Sequence, residues 1–426
     1  MNAGFGMADI TPQHRMRLAG FSARTGWADG ANDPLLAFAS YFEDGSQRLL
    51  MVALDHLGLA RSESAPLRRA IARATGVAEE NVWIHCTHTH GGPEQDARYL
   101  AALEEKLSCA AVEAIKSVEP CAFACSSAAL RGHWFHNRRA LTSGFQPVDD
   151  TASLGAFFAG GRLRAIIYSA ACHPACLGNR NMLYTADWPG FVRSAIWKKP
   201  GMEGIPVIFC QGTSGDINTG YSAGLFAVGR EASSRTYGRA KEIGESVAAD
   251  LLQALPQLKP EEGAALRVAC TRIGAEYYRE PHVEEFELRC ASVRSFLETA
   301  KAGCYSRELT DSLEIELAYL GFARERNLEN AGEKRSYELE LNAARLGDML
   351  VAGFPGEFFV NTGLELKRQF PDRVVHCMTM TNDYQGYFPP CQAFEEGGYE
   401  PLTARFAPVT AEDCLHQLAL LLRSLG

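Results

Sequence analysis

An α/β fold, with a mixed β-sheet core and flanking helices, is what the 426-residue sequence predicts. Two observations carry this. Short apolar runs such as Val82-Trp83-Ile84 and Ile205 to Cys210 alternate with longer segments of helical periodicity. Hairpin signals at Asp44-Gly45 and Gly160-Gly161 demand antiparallel neighbours, while the intervening helices demand crossovers.

The elements follow in order. Asp9-Ile-Thr-Pro12 caps or turns a first strand, and the Arg, Gly and Asp-rich stretch 15–34 reads as a long loop. Leu36 to Tyr41 and Arg48 to Leu54 flank the Asp-Gly turn. The second of these strands ends at Asp55-His56. Ser64 to Thr75 is a short basic amphipathic helix. Ala97 to Val118 is a second helix, with Leu103, Leu107, Ala111, Ala114 and Val118 on one face. Cys121 to Leu130 returns as a strand, and a polar loop fills much of 131–153. Leu154–Phe158 and Leu163–Ala170 form a hairpin, and a helix starts near Gly190. Arg230 to Leu255 is helical. Over 264–340 the pattern is a strand, two charged helices and a strand. A final helix runs from Ala411 to Leu425. No internal repeat or linker composition divides the chain.

With 46% hydrophobic and 22% charged residues the composition is globular. A formal net charge of -9 argues against nucleic acid as a partner. No apolar stretch approaches the ~20 residues of a membrane span. The first ten residues lack a basic segment followed by an apolar one, so a cytoplasmic location is expected. The 13 cysteines are an odd number without CxxC spacing, which fits reduced thiols rather than a disulfide framework or a cysteine zinc site.

Five apolar strands end in polar clusters: Thr87-His88-Thr89-His90, Cys172-His173-Pro174, Gly212 to Asp216, Pro355-Gly356-Glu357 and Asn382-Asp383-Tyr384. Active sites of α/β sheets form at the carboxyl ends of strands, where such clusters converge. If the strand through Ile84 persists, His88 and His90 share a face, because side chains alternate with period two. Gly91-Gly92 lets a ligand approach the backbone. His88, His173 and Glu357 make a two-histidine, one-carboxylate set suited to zinc, with a position left open for water. Zinc lowers the pKa of that water to about 7 and polarises a carbonyl. A phenol can complete such a set when the metal favours its anion. His90 is then free for proton transfer. Arg138 can bind a carbonyl or a carboxylate through its fork, although a surface salt bridge is the default for an Asn-Arg-Arg stretch.

Asp9-Ile-Thr, Thr87 to Pro93, Asn137-Arg138, Gly215-Asp216, Pro355-Gly-Glu357 and Asn382-x-Tyr-x-Gly-Tyr387 before Gly-Tyr-Glu400 occur in the order seen in neutral/alkaline ceramidases. Nearly the whole chain resembles the N-terminal catalytic domain of that family. The resemblance implies a zinc amidase that splits the N-acyl bond of ceramide, a sphingolipid. It implies His88, His173, Glu357 and a tyrosine as metal ligands, with Tyr387 preferred and Tyr384 as runner-up. It implies His90 and Arg138 at the substrate and Tyr399 lining the pocket. Asp187 and Asp216 resemble the family's acids that orient ligand histidines. One catalytic domain over 1–426 is expected, with an insertion around 264–340 and no C-terminal sandwich-like domain. Asn218 replaces a hydroxyl residue common in the family, so a mechanism through that hydroxyl is not open here.

The expected function is zinc-dependent hydrolysis of an N-acyl amide, from a lipid or a smaller amine, by metal-activated water. A metal-dependent phosphoesterase is the alternative, since His and Asp clusters at strand ends also serve two-metal chemistry. A non-catalytic, lipid-binding protein of the same fold is the third.

Overall fold

A computed structural model describes residues 1–139, 146–222, 224, 228, 230–279, 283–332 and 335–426. Residues 140–145 of the expected polar loop lie outside these. The fold is mixed α/β, and one run of elements occurs in it three times: three antiparallel strands, a crossover helix, a parallel strand and a covering helix.

The first unit comprises β1 (Asn2–Asp9), β2 (Leu36–Glu43), β3 (Arg48–Leu54), α1 (Arg61–Thr75), β4 (Val82–Cys86) and α2 (Ala97–Lys116). The second comprises β5 (Ala122–Ala129), β6 (Thr151–Ala159), β7 (Arg162–Ala170), α3 (Trp188–Trp197), β8 (Val207–Gln211) and α4 (Tyr237–Ala254). The third begins with β9 (Leu266–Glu276). A helical hairpin follows, α5 (Val283–Ala302) and α6 (Arg307–Glu329). Then come β10 (Ser336–Leu346), β11 (Met349–Gly353), α7 (Val360–Gln369), β12 (Val374–Met378) and α8 (Thr410–Ser424). In each unit the first three strands pair antiparallel and the last joins in parallel.

Local chemistry explains the elements. Asp44 bridges the β2–β3 turn by accepting from the Ser46 and Gln47 amides at 3.0 and 2.9 Å. Gly160 and Gly161 adopt φ of 55° and 74° at the β6–β7 turn, which ordinary side chains resist. Asp96 caps α2 by accepting from the Tyr99 amide. α4 starts at Tyr237 rather than at Arg230, because Thr236 supplies its N-cap hydroxyl. The repeat has no counterpart in residue spacing, which is why the sequence shows none.

Helices cover the outer face of each sheet. Leu67 and Ile71 of α1 and Leu103 and Leu107 of α2 pack on the first. The inner faces share a core with residues from every unit, including Phe42, Trp83, Phe157, Ile208, Met349 and Met378. Phe42 stacks on Phe157 with centroids 5.2 Å apart. Removing one such ring costs about 3–5 kcal/mol. Burial on both faces accounts for the unbroken apolar runs in β4 and β8.

Residues 379–382 join the three sheets. The Thr379 amide donates to Gln211 O at 2.8 Å, beyond β12 and at the end of β8. The Asn382 amide donates to Ile84 O of β4 at 2.7 Å. The carboxyl ends of the three parallel strands therefore meet. Each of the 13 cysteines is a free thiol. Among the described residues no helix is long and apolar enough to cross a membrane.

Candidate active site

The strand through Ile84 does not persist. β4 stops at Cys86, and His88 takes a left-handed φ of 66°, a conformation uncommon for a non-glycine residue. His88 and His90 meet because of this kink, not because of strand alternation. Their ring centroids are 5.1 Å apart, and His173 lies 5.0 Å from His88 and 5.9 Å from His90. Gly91 follows without a side chain because a Cβ there would fall 2.5 Å from Thr185 O.

Backbone carbonyls orient two of the three rings. His88 Nδ1 lies 2.8 Å from Leu57 O, and His173 Nδ1 lies 2.9 Å from Ile217 O. A carbonyl only accepts, so both Nδ1 atoms carry a proton, and each ring, when neutral, presents the lone pair of its Nε2. Those Nε2 atoms lie 3.3 Å and 2.9 Å from the same oxygen, Glu357 Oε2. The carboxylate is 3% exposed. Burial pushes its pKa up, but when the facing His88 and His173 nitrogens carry protons they outweigh burial and hold it well below the carboxylate range. Burial, chiefly, lowers the pKa of His173 and keeps the imidazole neutral. With both rings neutral, three acceptors converge on one point, an arrangement that a cation resolves.

The two tyrosines meet different partners. Tyr384 donates its hydroxyl to Glu357 Oε1 at 2.7 Å, whereas the Tyr387 hydroxyl accepts from Arg138 Nη2 at 3.2 Å. Tyr387 pairs with Glu357 in a short parallel ladder, and its ring runs on to the arginine. The phenol at the carboxylate is that of Tyr384. Burial, and next the charge of Glu357, push its pKa well above the usual phenol value.

Arg138 is no surface ion pair. Its Nε donates to Glu400 Oε1 at 2.6 Å and its Nη2 to Gly215 O at 2.6 Å. Arg139 holds the other Glu400 oxygen at 3.1 Å. Neither of the expected orienting acids touches a histidine ring. Asp187 accepts from the Cys176, Leu177 and Trp188 amides, behind the turn that carries His173. Trp188 Nε1 in turn donates to His173 O at 3.2 Å. Asp216 accepts from the Val360 amide and Asn137 Nδ2, at the base of the Ile217 segment whose carbonyl receives His173. Burial raises both acids to about 6. They hold amides of the supporting segments, and carbonyls do the orienting. Asn218 likewise serves a turn: its Oδ1 accepts from the Gly220 and Tyr221 amides, so that Tyr221 lines the cavity.

Among the described residues, His90 has no hydrogen-bond partner at either ring nitrogen. Burial, chiefly, holds its pKa well below the ordinary value, so the ring is neutral. Stretch 15–34 positions it, a role the composition of a plain loop conceals. Gly20 (φ 100°) packs against the ring so closely that a Cβ would stand 2.6 Å from Nδ1. Phe21 lies 4.6 Å from the same ring. Arg24 ties the loop down by donating to Ala19 O and His90 O, both at 2.8 Å.

These side chains open into a cavity of about 210 Å³, which Tyr399 and Phe322 also line. Two donor sets are available at one point. Three imidazoles, His88, His90 and His173, offer ligand atoms within 4.8 Å of one another. His88 and His173 can instead act with Glu357 and the Tyr384 phenol. Glu400, Phe21, Tyr221 and Phe322 are site residues that sequence reasoning missed. For Glu400, its place beside Tyr399 was the available signal; the others carry none.

No protein-family model matches the sequence, and no curated protein sequence does. Solved structures do match. One is neutral ceramidase from Pseudomonas aeruginosa, with a TM-score of 0.74 and 20% identity, covering 99% of this chain and 74% of that one. Another is a ceramidase complexed with C2, with a TM-score of 0.72 and 18% identity, covering 99% and 75%. Along nearly its whole length, the chain has the fold of these ceramidase structures.

Proposed function

We propose that the protein is a zinc-dependent hydrolase of N-acyl amides. The carrying observation is the convergence, from three separate segments of the chain, of a buried carboxylate and two imidazoles, each with Nδ1 on a carbonyl and Nε2 facing the carboxylate. His88, His173 and Glu357 would hold the ion, with Tyr384 as the fourth ligand in place of Tyr387. A ligand histidine normally donates its other N–H to a fixed partner. His88 and His173 do so, and His90 does not. That difference supports His90 as the proton carrier rather than a third imidazole ligand.

When bound, zinc supplies Lewis acidity at the amide carbonyl and an acidified water. The neutral His90 accepts the proton that water gives up as it adds to the acyl carbon. It returns that proton to the nitrogen as the carbon–nitrogen bond breaks, leaving a carboxylic acid and an amine. Arg138, held by Glu400 and Gly215, presents with Tyr387 a fixed donor pair to the substrate oxygen. Tyr399 packs on the Tyr387 ring at 5.5 Å and shapes the wall. The order of the motifs and the likeness of fold to ceramidases support a ceramide-like lipid or a related N-acyl amine as substrate.

Metal analysis joined to an amide and phosphate-ester panel tests this. About one zinc per chain is expected, with cleavage of amides and none of phosphate esters. His88→Ala is expected to lose the metal. His90→Ala is expected to keep it and lose turnover by about 10²–10⁴-fold. Full activity in both variants would remove the basis of the assignment.

A further inference from the structure

The pocket has two unlike walls. Phe21 and Gly20 face His90 on one. On the other, Tyr387 packs on Tyr399, and Tyr399 packs on Phe322 with centroids 5.7 Å apart. The second wall is finished by the helical hairpin that lies between the first two strands of the third unit. Residues Ile315, Tyr319, Phe322 and Arg326 recur at helical spacing on one face of α6. Tyr319 lies 5.6 Å from Tyr399. Arg326 donates to Pro401 O and Leu402 O, both at 3.2 Å. Leu320 and Ala323 meanwhile bury against α5 in the core of the hairpin. Phe322 is therefore carried on a helix fixed at both faces.

Within the hydrolase reading, on which this inference rests, His90 delivers a proton to the departing amine. The amine half then lies toward Phe21 and the acyl half toward Tyr399 and Phe322. The cavity of about 210 Å³ is below the ~300–1,000 Å³ of typical small-molecule sites. We propose that Phe322, set by the inserted hairpin, closes the acyl end of the pocket and restricts the substrate to N-acyl amides with a short acyl group.

Straight-chain carboxylates from acetate to dodecanoate, the acyl products, probe this by calorimetry on the zinc-loaded protein. While carbons enter the cavity, affinity should rise about fourfold per methylene and then stop rising. The wild type is expected to level off within the first few carbons. Phe322→Ala is expected to level off several carbons later, and Phe322→Trp earlier than the wild type. An affinity that climbs to dodecanoate in the wild type overturns the proposal. So does a plateau that neither substitution moves. If the plateau behaves as expected but no amide in a broad panel is cleaved, the hydrolase reading fails and the closed end of the pocket stands.

Discussion

Glu357 and Glu400 are both buried carboxylates, 3% and 2% exposed, yet their partners make them chemically unlike. Glu400 is clamped by Arg138 and Arg139, at 2.6 and 3.1 Å. Guanidinium groups only donate and stay charged, so that pair is complete in itself. Glu357 faces imidazoles whose N–H groups are already spent on carbonyls. Those rings can offer lone pairs, so the pair is incomplete without a cation. Burial is common to both sites. What separates an ion pair from a metal site is which partner keeps its lone pair.

The largest effect expected from this contrast is on metal content. Glu357→Gln should weaken zinc affinity by more than the ~10–100-fold typical of outer partners, with activity lost in step. Glu400→Gln should leave zinc bound and lower kcat, because Arg138 loses its anchor. Metal content and kcat for the two variants decide it. Loss of zinc from Glu400→Gln would erase the distinction.

The tyrosines sharpen it further. Tyr384→Phe is expected to weaken zinc affinity by more than the ~10–100-fold typical of outer partners, because it removes a ligand. Tyr387→Phe is expected to leave zinc affinity unchanged and to reduce kcat/KM. Competition with a chromogenic chelator reads the first, and steady-state kinetics the second. The reverse pattern would restore Tyr387 as the ligand.

The smallest effect is on stability in acid. The Glu357 carboxyl titrates below its ordinary 4.5 in the folded protein. The unfolded chain then takes up the proton first, so its contribution is full above 4.5 and is lost as pH falls below that. In metal-free protein, the Tm difference between wild type and Glu357→Gln should shrink on acidification below 4.5. A constant difference would mean that the imidazoles do not hold the carboxylate ionised.

The strand ends were legible because an apolar run that stops at a polar cluster needs no tertiary information to be seen. His88, His173 and Glu357 stood out for that reason, and the structure brings them together. The kink at His88 was not legible: period two describes a strand that continues, and this one stops at Cys86. Tyr384 and Tyr387 differ by three residues, and only the ladder between Glu357 and Tyr387 determines which phenol reaches the carboxylate. Asp187 and Asp216 were noticed, but their amide partners were not legible, because the sequence does not say whether an acid binds a ring or an amide. Gly20 and Phe21 were invisible inside a polar loop. The threefold run of elements escaped because it repeats connectivity and not residues.

That threefold run has a further consequence. His88 belongs to the first unit, His173 to the second, and Glu357 and Tyr384 to the third. An ion gripped by all of them is a keystone between three arches, absent until the last is in place. Such an ion would bind the assembled chain and not the open one, so each addition of zinc would pull the assembly closed by mass action. A zinc titration followed by thermal melting would then measure how firmly three separate sheets are locked to each other.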